Sequence, residues 1–383
     1  MKRSGRRTLD RSWKLTLAAG GTGGHISPAL AIADHLRQVE PECRIEFVCG
    51  TRPVELEIYR KAGITPKTME VVPLVSGWLG LLTNIRNFRR ALKTAREFLR
   101  ADPPHVILGM GSYFCAPIVA AAVEDNIPAM IHEQNSVAGR ANRWLSRRVT
   151  AIACAYPEAA AAFPPEKTRV TGNPVRPEFV GADRPTALRR WELSGDVPTL
   201  LISGGSQGAW RLNQAVLDAL NGLEGSVANI GGLQMLWICG ENNFGDLKEQ
   251  LDRKPLRRLT VRLVPFVREM GLAYGVADLA LCRAGAMTLA ELTANAVPAI
   301  LVPLPEAIGD HQRLNAMPLV KAGAAVIVEE GELGAGRLAE EVTTRLSDRS
   351  TLEQMRQVSR QFGRPKAVEE ITGIILTLRG ELS

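Results

Sequence analysis

The sequence predicts an α/β protein of two Rossmann-like, doubly wound domains facing a cleft. Three observations predict it. The chain has 383 residues, more than one hydrophobic core usually supports. Short apolar runs alternate with amphipathic stretches from end to end, the pattern of parallel sheets built from right-handed βαβ units. The two halves also open alike. Leu15–Ala19 leads through Gly20-Gly-Thr-Gly-Gly-His25 into Pro28–Leu36, and Thr199–Ser203 leads through Gly204-Gly-Ser-Gln-Gly208 into Leu212–Leu220.

The strand candidates of the first half are Lys14–Gly20, Arg44–Gly50, His105–Gly109, Pro128–His132 and Thr150–Ala155. Those of the second half are Pro198–Ser203, Gln234–Cys239, Leu259–Val264, Asp278–Cys282, Ala299–Pro303 and Ala324–Val328. Periodic segments such as Ala29–Gln38, Asn213–Leu220 and Glu340–Leu346 read as helices between them. Gly172-Asn-Pro-Val-Arg-Pro-Glu178 separates the halves, and its two prolines favour an extended connector. The expected organisation is therefore a basic disordered tail over 1–13, a first domain over 14–172, a linker at 173–178, a second domain over 179–362 and a final segment, 363–383. Glycine turns at the carboxyl ends of first strands lie where open α/β sheets bind ligands.

Apolar residues make up 45% and charged residues 23% of the chain, ample for two cores. The net charge of +7 suits an anionic partner, whether nucleic acid, membrane or phosphorylated substrate. No nucleic-acid motif or aromatic platform accompanies it. The six cysteines are scattered without C-x-x-C, and three (Cys49, Cys239, Cys282) end strand-like runs; they read as small buried hydrophobes. No window of about 18 apolar residues predicts a spanning helix. Met1–Lys14 is basic but lacks the apolar region of a secretory signal.

Glycines in Gly20–His25 let backbone approach a phosphate, and the following helix offers N–H groups and a positive dipole end. The dinucleotide fingerprint fails, because its third glycine would be Ile26 and the second strand ends Val48-Cys49-Gly50 without an acid. A turn with no ligand is the alternative. Gly204–Gly208 is a second such loop, and no G-x-x-x-x-G-K-[ST] sequence occurs. A third helix start, Arg283-Ala-Gly-Ala-Met-Thr-Leu-Ala-Glu291, favours negative charge through Arg283 and its N-terminus, with Glu291 able to accept from ribose hydroxyls or, alternatively, an exposed helix residue. His132-Glu-Gln-Asn135 and Asp310-His-Gln-Arg-Leu-Asn315 follow strands. Burying four polar residues in a row is costly without partners, which favours a polar ligand there. Without D-x-D, H-x-x-x-H or C-x-x-C, no metal site and no cofactor are expected.

Seven motifs in order, Gly20–His25, Gly109-Met-Gly111, His132–Asn135, Gly172–Arg176, Gly204–Gly208, Arg283-x-Gly-Ala286 and Asp310-His-Gln312, resemble the MurG family of peptidoglycan N-acetylglucosaminyltransferases over residues 14–376. The resemblance implies the GT-B arrangement, with a C-terminal helix packing back on the first domain. It implies UDP-N-acetylglucosamine as donor on the second domain. There Ser206 and the Gly205–Gly208 turn would meet the diphosphate, Glu291 the ribose, Val267 the uracil, Arg176 the nucleotide and Gln312 the sugar. Ala286, Met287, Thr288, Leu289 and Ala290 would line the helix start under the phosphates. Thr22, Gly23, Gly24 and Asn135 would close from the first domain, while Gly111, Tyr113 and Glu133 would hold the acceptor. Three departures are Trp210 where arginine is frequent, Ser112 for a usual glycine, and Ala284 for a frequent serine.

The implied reaction is an inverting transfer to the C4 hydroxyl of the muramic acid unit of lipid I, giving lipid II. His25 is the candidate base, since a helix N-terminus disfavours imidazolium; Glu133 and Asp310 are its rivals. Leu74–Leu82 with Trp78, followed by Arg86, Arg89, Arg90, Lys93 and Arg96, reads as a peripheral contact with the anionic cytoplasmic face of the inner membrane. A UDP-sugar 2-epimerase and a non-catalytic UDP-sugar-binding subunit are the alternative functions.

Overall fold

Alternation along each apolar run explains why it becomes a central strand. In β1 (Trp13–Ala18), Trp13, Leu15 and Leu17 enter one apolar cluster and Ala18 the opposite one, so the strand is buried on both faces. The computed structural model describes residues 12–21, 23–72, 80–205 and 208–380. The remaining strands are β2 (Cys43–Cys49), β3 (Lys67–Thr68), β4 (Val106–Gly109), β5 (Ala129–Glu133), β6 (Ala151–Cys154), β7 (Thr168–Val170), β8 (Thr199–Ser203), β9 (Leu233–Ile238), β10 (Leu259–Val264), β11 (Leu279–Cys282), β12 (Ala299–Leu301) and β13 (Ala325–Ile327). They form two sheets, β3-β2-β1-β4-β5-β6-β7 and β10-β9-β8-β11-β12-β13, with parallel pairing throughout. The doubly wound α/β class expected from the sequence is what the chain adopts. Two strands went unread, β3 and β7. Both are short edge strands of Lys-Thr and Thr-Arg-Val, without an apolar run to announce them.

The chain divides into two compact units, one reaching to Pro174 and taking in the chain again from Lys366, the other Val175–Pro365. In the first unit, Ile371, Ile375 and Leu378 of the last helix (Ala367–Gly380) join the cluster built by Leu15, Leu17 and the helix Gly23–Val39. Arg379 there pairs with Glu40 at 2.9 Å and stacks on Trp13. The second unit repeats the plan. Leu200 and Ile202 of β8 face one cluster and Leu201 the other.

Residues 1–11 of the expected tail lie outside the described ones, but its last residue does not belong to a tail. Trp13 is buried and begins β1, because its indole packs in the core and donates to Glu40 at 3.3 Å. All six cysteines are buried and unbridged, and burial pushes five of them, Cys43, Cys49, Cys115, Cys154 and Cys282, up to about 12.

Candidate active site

In each sheet the strand order reverses beside the first strand, between β1 and β4 and between β8 and β11. Loops leaving these neighbours diverge, and open α/β sheets take ligands in the crevice so formed. In the first unit those loops carry Gly20–His25 and Gly111–Tyr113.

The first loop is held from beneath. Gly21 N–H donates to the buried Glu55 Oε1 at 2.8 Å, and Tyr59 O–H donates to Ala19 O at 2.8 Å. Thr22 lies outside the described residues. Gly23 and Gly24 are the first residues of the helix Gly23–Val39, so its N–H groups open toward the loop. His25, half-buried in the first turn, has Nδ1 3.2 Å from Gln134 Oε1. A Cβ built on Gly111 would stand 3.5 Å from His25 Cε1, so the loop after β4 abuts the histidine. Ser112 follows at φ 64°, the left-handed region that explains why a glycine is usual there, and its Oγ accepts from Phe114 N–H at 3.2 Å. Tyr113 is half-buried in the same helix, Ser112–Glu124.

The run His132–Asn135, expected to favour a polar ligand, finds partners within the protein. His132, Glu133 and Gln134 are buried, but protein groups partner them. Glu133 Oε1 accepts from the N–H and Nδ2 of Asn135 at 3.0 and 3.3 Å, and Oε2 from Gly139 N–H and Asn142 Nδ2, both at 2.9 Å. The carboxylate is thus turned onto its own loop, just ahead of the helix Arg140–Leu145. Gln134 Nε2 donates to Met110 O at 2.8 Å and lies 3.0 Å from His132 Nδ1, while His132 Nε2 meets Gly172 O at 3.2 Å. Burial drives His132 down to about 4, against the raising effect of the Gly172 carbonyl, and the nearby His25 lowers it further. The ring is neutral at physiological pH.

In the second unit the turn after β8 admits only glycine at Gly208. Its φ is 74°, and a Cβ would lie 2.5 Å from Cys239 O. Ser206 lies outside the described residues. Beyond Gly208 the helix Trp210–Ser226 begins, with Trp210 exposed. After β11, Gly285 precedes the helix Ala286–Ala294, which Ala286 opens and whose first turn holds the N–H groups of Met287 and Thr288. Leu289 differs from them. Its N–H closes onto Gly285 O at 3.0 Å and its side chain is in the core, so it has no donor to offer; Ala290 follows it one position deeper.

Glu291 is half-buried and accepts from Tyr274 O–H at 2.6 Å. Burial raises its carboxyl to about 7, with the Tyr274 bond and the Arg176 charge acting against the rise. Arg176 itself stacks near Phe179 and pairs loosely with Glu178 at 3.7 Å. Val267 is buried in the core beyond β10, so its side chain is taken up by the protein. Gln312 Oε1 accepts from Leu304 N–H at 3.0 Å, so its amide nitrogen is the end left to a ligand. Asp310, at φ 54°, is exposed at the start of the helix His311–Ala322.

Arg283 corrects an expectation. Its guanidinium pairs with the buried carboxylate of Glu330 and lies 3.3 Å from the Val302 and Pro303 carbonyls, so the protein itself takes up its charge. Arg211 joins the same carboxylate at 2.9 Å. Burial alone would raise Glu330; Arg283 and then Arg211 outweigh it and hold the carboxyl below its usual value. Sequence reasoning missed Glu55, Gln134, Tyr274 and Glu330. Gln134 sat inside a motif already noted. The other three come from distant positions with no local pattern.

Residues 15–154 match the glycosyltransferase family 28 N-terminal domain and residues 199–371 its C-terminal domain. The UDP-N-acetylglucosamine--N-acetylmuramyl-(pentapeptide) pyrophosphoryl-undecaprenol N-acetylglucosamine transferase of Listeria monocytogenes serotype 4a is 35% identical over 366 residues, 95% of this chain and 99% of that one. The transferase of the same name from Limosilactobacillus reuteri is 36% identical over 94% and 97%. The crystal structure of Acinetobacter baumannii MurG superposes with a TM-score of 0.76 at 29% identity, covering 96% of this chain and 99% of that one. The Neisseria meningitidis UDP-GlcNAc 2-epimerase shares the fold alone, at a TM-score of 0.61 and 13% identity over 95% of this chain and all of that one. Gly204, Ser206 and Gly208 also satisfy the G-x-S-x-G spacing of a serine-hydrolase elbow, but they fall in the glycosyltransferase domain match. With both domain matches and relatives that align along nearly its whole length, the chain belongs to glycosyltransferase family 28 and, within it, to the MurG family.

Proposed function

We propose that this protein transfers N-acetylglucosamine from UDP-N-acetylglucosamine to the C4 hydroxyl of the N-acetylmuramyl unit of an undecaprenyl-diphosphate-linked pentapeptide acceptor, converting lipid I to lipid II. The observation that carries the reading is the end-to-end alignment, at 35% identity, with transferases named for this reaction.

The chemistry is one inverting displacement. His25 takes the proton of the C4 hydroxyl, the oxygen bonds to the anomeric carbon, and the bond from that carbon to UDP breaks. A positioned base contributes about 10²–10⁴-fold. Charge developing on the leaving diphosphate is met by the helix starts after Gly208 and Gly285, where donors act through fixed N–H groups. Glu291, once ionised, accepts from the ribose hydroxyls, Arg176 and the Val267 backbone hold the nucleotide, and Gln312 Nε2 reads the sugar. Glu133 is a weak rival for the base, because four N–H groups already occupy its oxygens. In this reading it shapes the acceptor loop instead.

No helix among the described residues is long and apolar enough to cross a membrane. Contact with the lipid-linked acceptor at the cytoplasmic face is therefore proposed to be peripheral. Trp78 and Leu79 lie outside the described residues. In the helix Gly80–Ala101, Leu82 is 78% exposed, with Ile85 and the exposed Arg86, Arg89 and Arg90 beside it. An apolar tip flanked by cations suits an anionic leaflet.

The test is incubation with labelled UDP-N-acetylglucosamine and a lipid I analogue. A product carrying the β-linked disaccharide, with release of UDP, is expected. Turnover of the donor to its 2-epimer without an acceptor would overturn the reading.

A further inference from the structure

Gln134 lies at the end of β5 with every atom of its amide engaged, and the engagement can be read without ambiguity. The atom 2.8 Å from Met110 O faces a carbonyl, which only accepts, so it is the amide nitrogen. Its second N–H points to His132 Nδ1 at 3.0 Å, which must then carry a lone pair. That places the His132 proton on Nε2, where it is donated to Gly172 O at 3.2 Å. Both amide N–H groups are thereby used, and Oε1 can only accept. It faces His25 Nδ1 at 3.2 Å. His25 Nδ1 must be the protonated nitrogen, and the lone pair of the neutral ring is on Nε2.

We propose that Gln134, oriented by Met110 O and His132, is a positioning residue that holds His25 in the Nδ1–H tautomer and makes Nε2 the proton acceptor. The inference rests on the reading of His25 as the base and adds which nitrogen acts and what selects it. A ring nitrogen's role follows from the bond the other nitrogen makes. A serine-protease triad uses a carboxylate for this purpose; here a neutral amide does it, and the carboxylate beside it in sequence, Glu133, is directed at Asn135, Gly139 and Asn142. The imidazolium formed on proton transfer keeps its Nδ1–H bond to Gln134 Oε1 while Nε2 holds the transferred proton. Backing from a buried neutral ring suits the arrangement. A charged His132 would present N–H to the amide nitrogen and turn the amide over.

The experiment is nitrogen-15 NMR of the full chain with labelled histidine, beside steady-state kinetics. Wild type is expected to show His25 with a protonated Nδ1 and an unprotonated Nε2. Gln134→Leu removes the acceptor, and the ring should move toward Nε2–H, the form a free imidazole favours. Its kcat should fall about tenfold, less than the about 10²–10⁴-fold that a positioned base contributes, with both KM values within twofold. Gln134→Glu keeps an acceptor for the His25 Nδ1–H while giving up the two N–H groups held by Met110 O and His132. It should keep Nδ1–H, recover activity relative to the leucine variant, and shift the acidic limb of kcat to higher pH, because a carboxylate favours imidazolium. An Nε2–H tautomer in wild type, or an unchanged tautomer in a folded Gln134→Leu protein, overturns the proposal. If the leucine variant does not fold, the wild-type spectrum and the glutamate variant still decide. If the tautomer behaves as expected while His25→Ala retains kcat, the relay stands and the base assignment falls.

Discussion

The two glycine loops occupy the same place in their sheets yet are built for different work. The Gly20–Gly24 loop leads into a titratable side chain, His25, supported by a buried polar run from β5. The Gly204–Gly208 loop leads into Ala209 and Trp210, and the cations close to it, Arg211 and Arg283, are tied to Glu330. In the proposed reading, one unit uses its buried polar groups to orient a base. In the same reading the other ties Arg211 and Arg283 to Glu330 and leaves recognition to backbone N–H groups, Arg176, Gln312 and Glu291. Equal topology thus supplies two equivalent crevices, and the residues placed behind each loop decide its chemistry.

The largest expected effect breaks the first half of this contrast. His25→Ala should lower kcat by about 10²–10⁴-fold while UDP affinity, measured by calorimetry, stays within twofold, because the proposed donor contacts belong mainly to the other unit. A folded variant with near-normal kcat would remove the distinction between the loops.

Next comes Glu291→Gln, which should weaken UDP binding by about 10–100-fold, the loss of hydrogen bonds to a charged acceptor. The pH dependence has a definite sign. Burial holds the carboxyl near 7, so it is neutral below that value and ionised above it. Donor affinity in wild type should therefore level off above 7 and fall below it, by at most about tenfold for each pH unit, until it reaches that of Glu291→Gln. In Glu291→Gln the calorimetric profile should be flat across that range. A sloping profile in the variant would move the titration elsewhere.

A smaller effect compares the loops directly. Gly21→Ala meets no atom closer than 3.6 Å and carries only the penalty of its φ of 100°, about 1–2 kcal/mol. Gly208→Ala adds a clash with Cys239 O and should cost about 3 kcal/mol or more. Urea midpoints of the two variants should differ in that order. The smallest effect is at Ser112. Glycine would relieve the φ of 64°, but would lose the Oγ bond to Phe114 N–H and gain freedom when unfolded, so Ser112→Gly should change stability by less than about 1 kcal/mol.

Eleven of the thirteen strands among the described residues could be read from the chain, because parallel strands buried on both faces need continuous apolar runs such as Leu200–Ile202. The glycine turns and the repeat of the two halves were visible for the same kind of reason, since each depends on neighbours in sequence. What the chain order alone did not disclose depends on partners far apart. Glu55 reaches Gly21 from 34 residues away, Glu330 gathers Arg211 and Arg283 across 119 and 47, and Gln134 finds His25 across 109. A polar side chain carries no mark in sequence of whether it will meet ligand, water or another buried group. That was settled only when the sheets brought the ends of their strands together, because a buried donor must be satisfied by whatever folding places within about 3 Å of it.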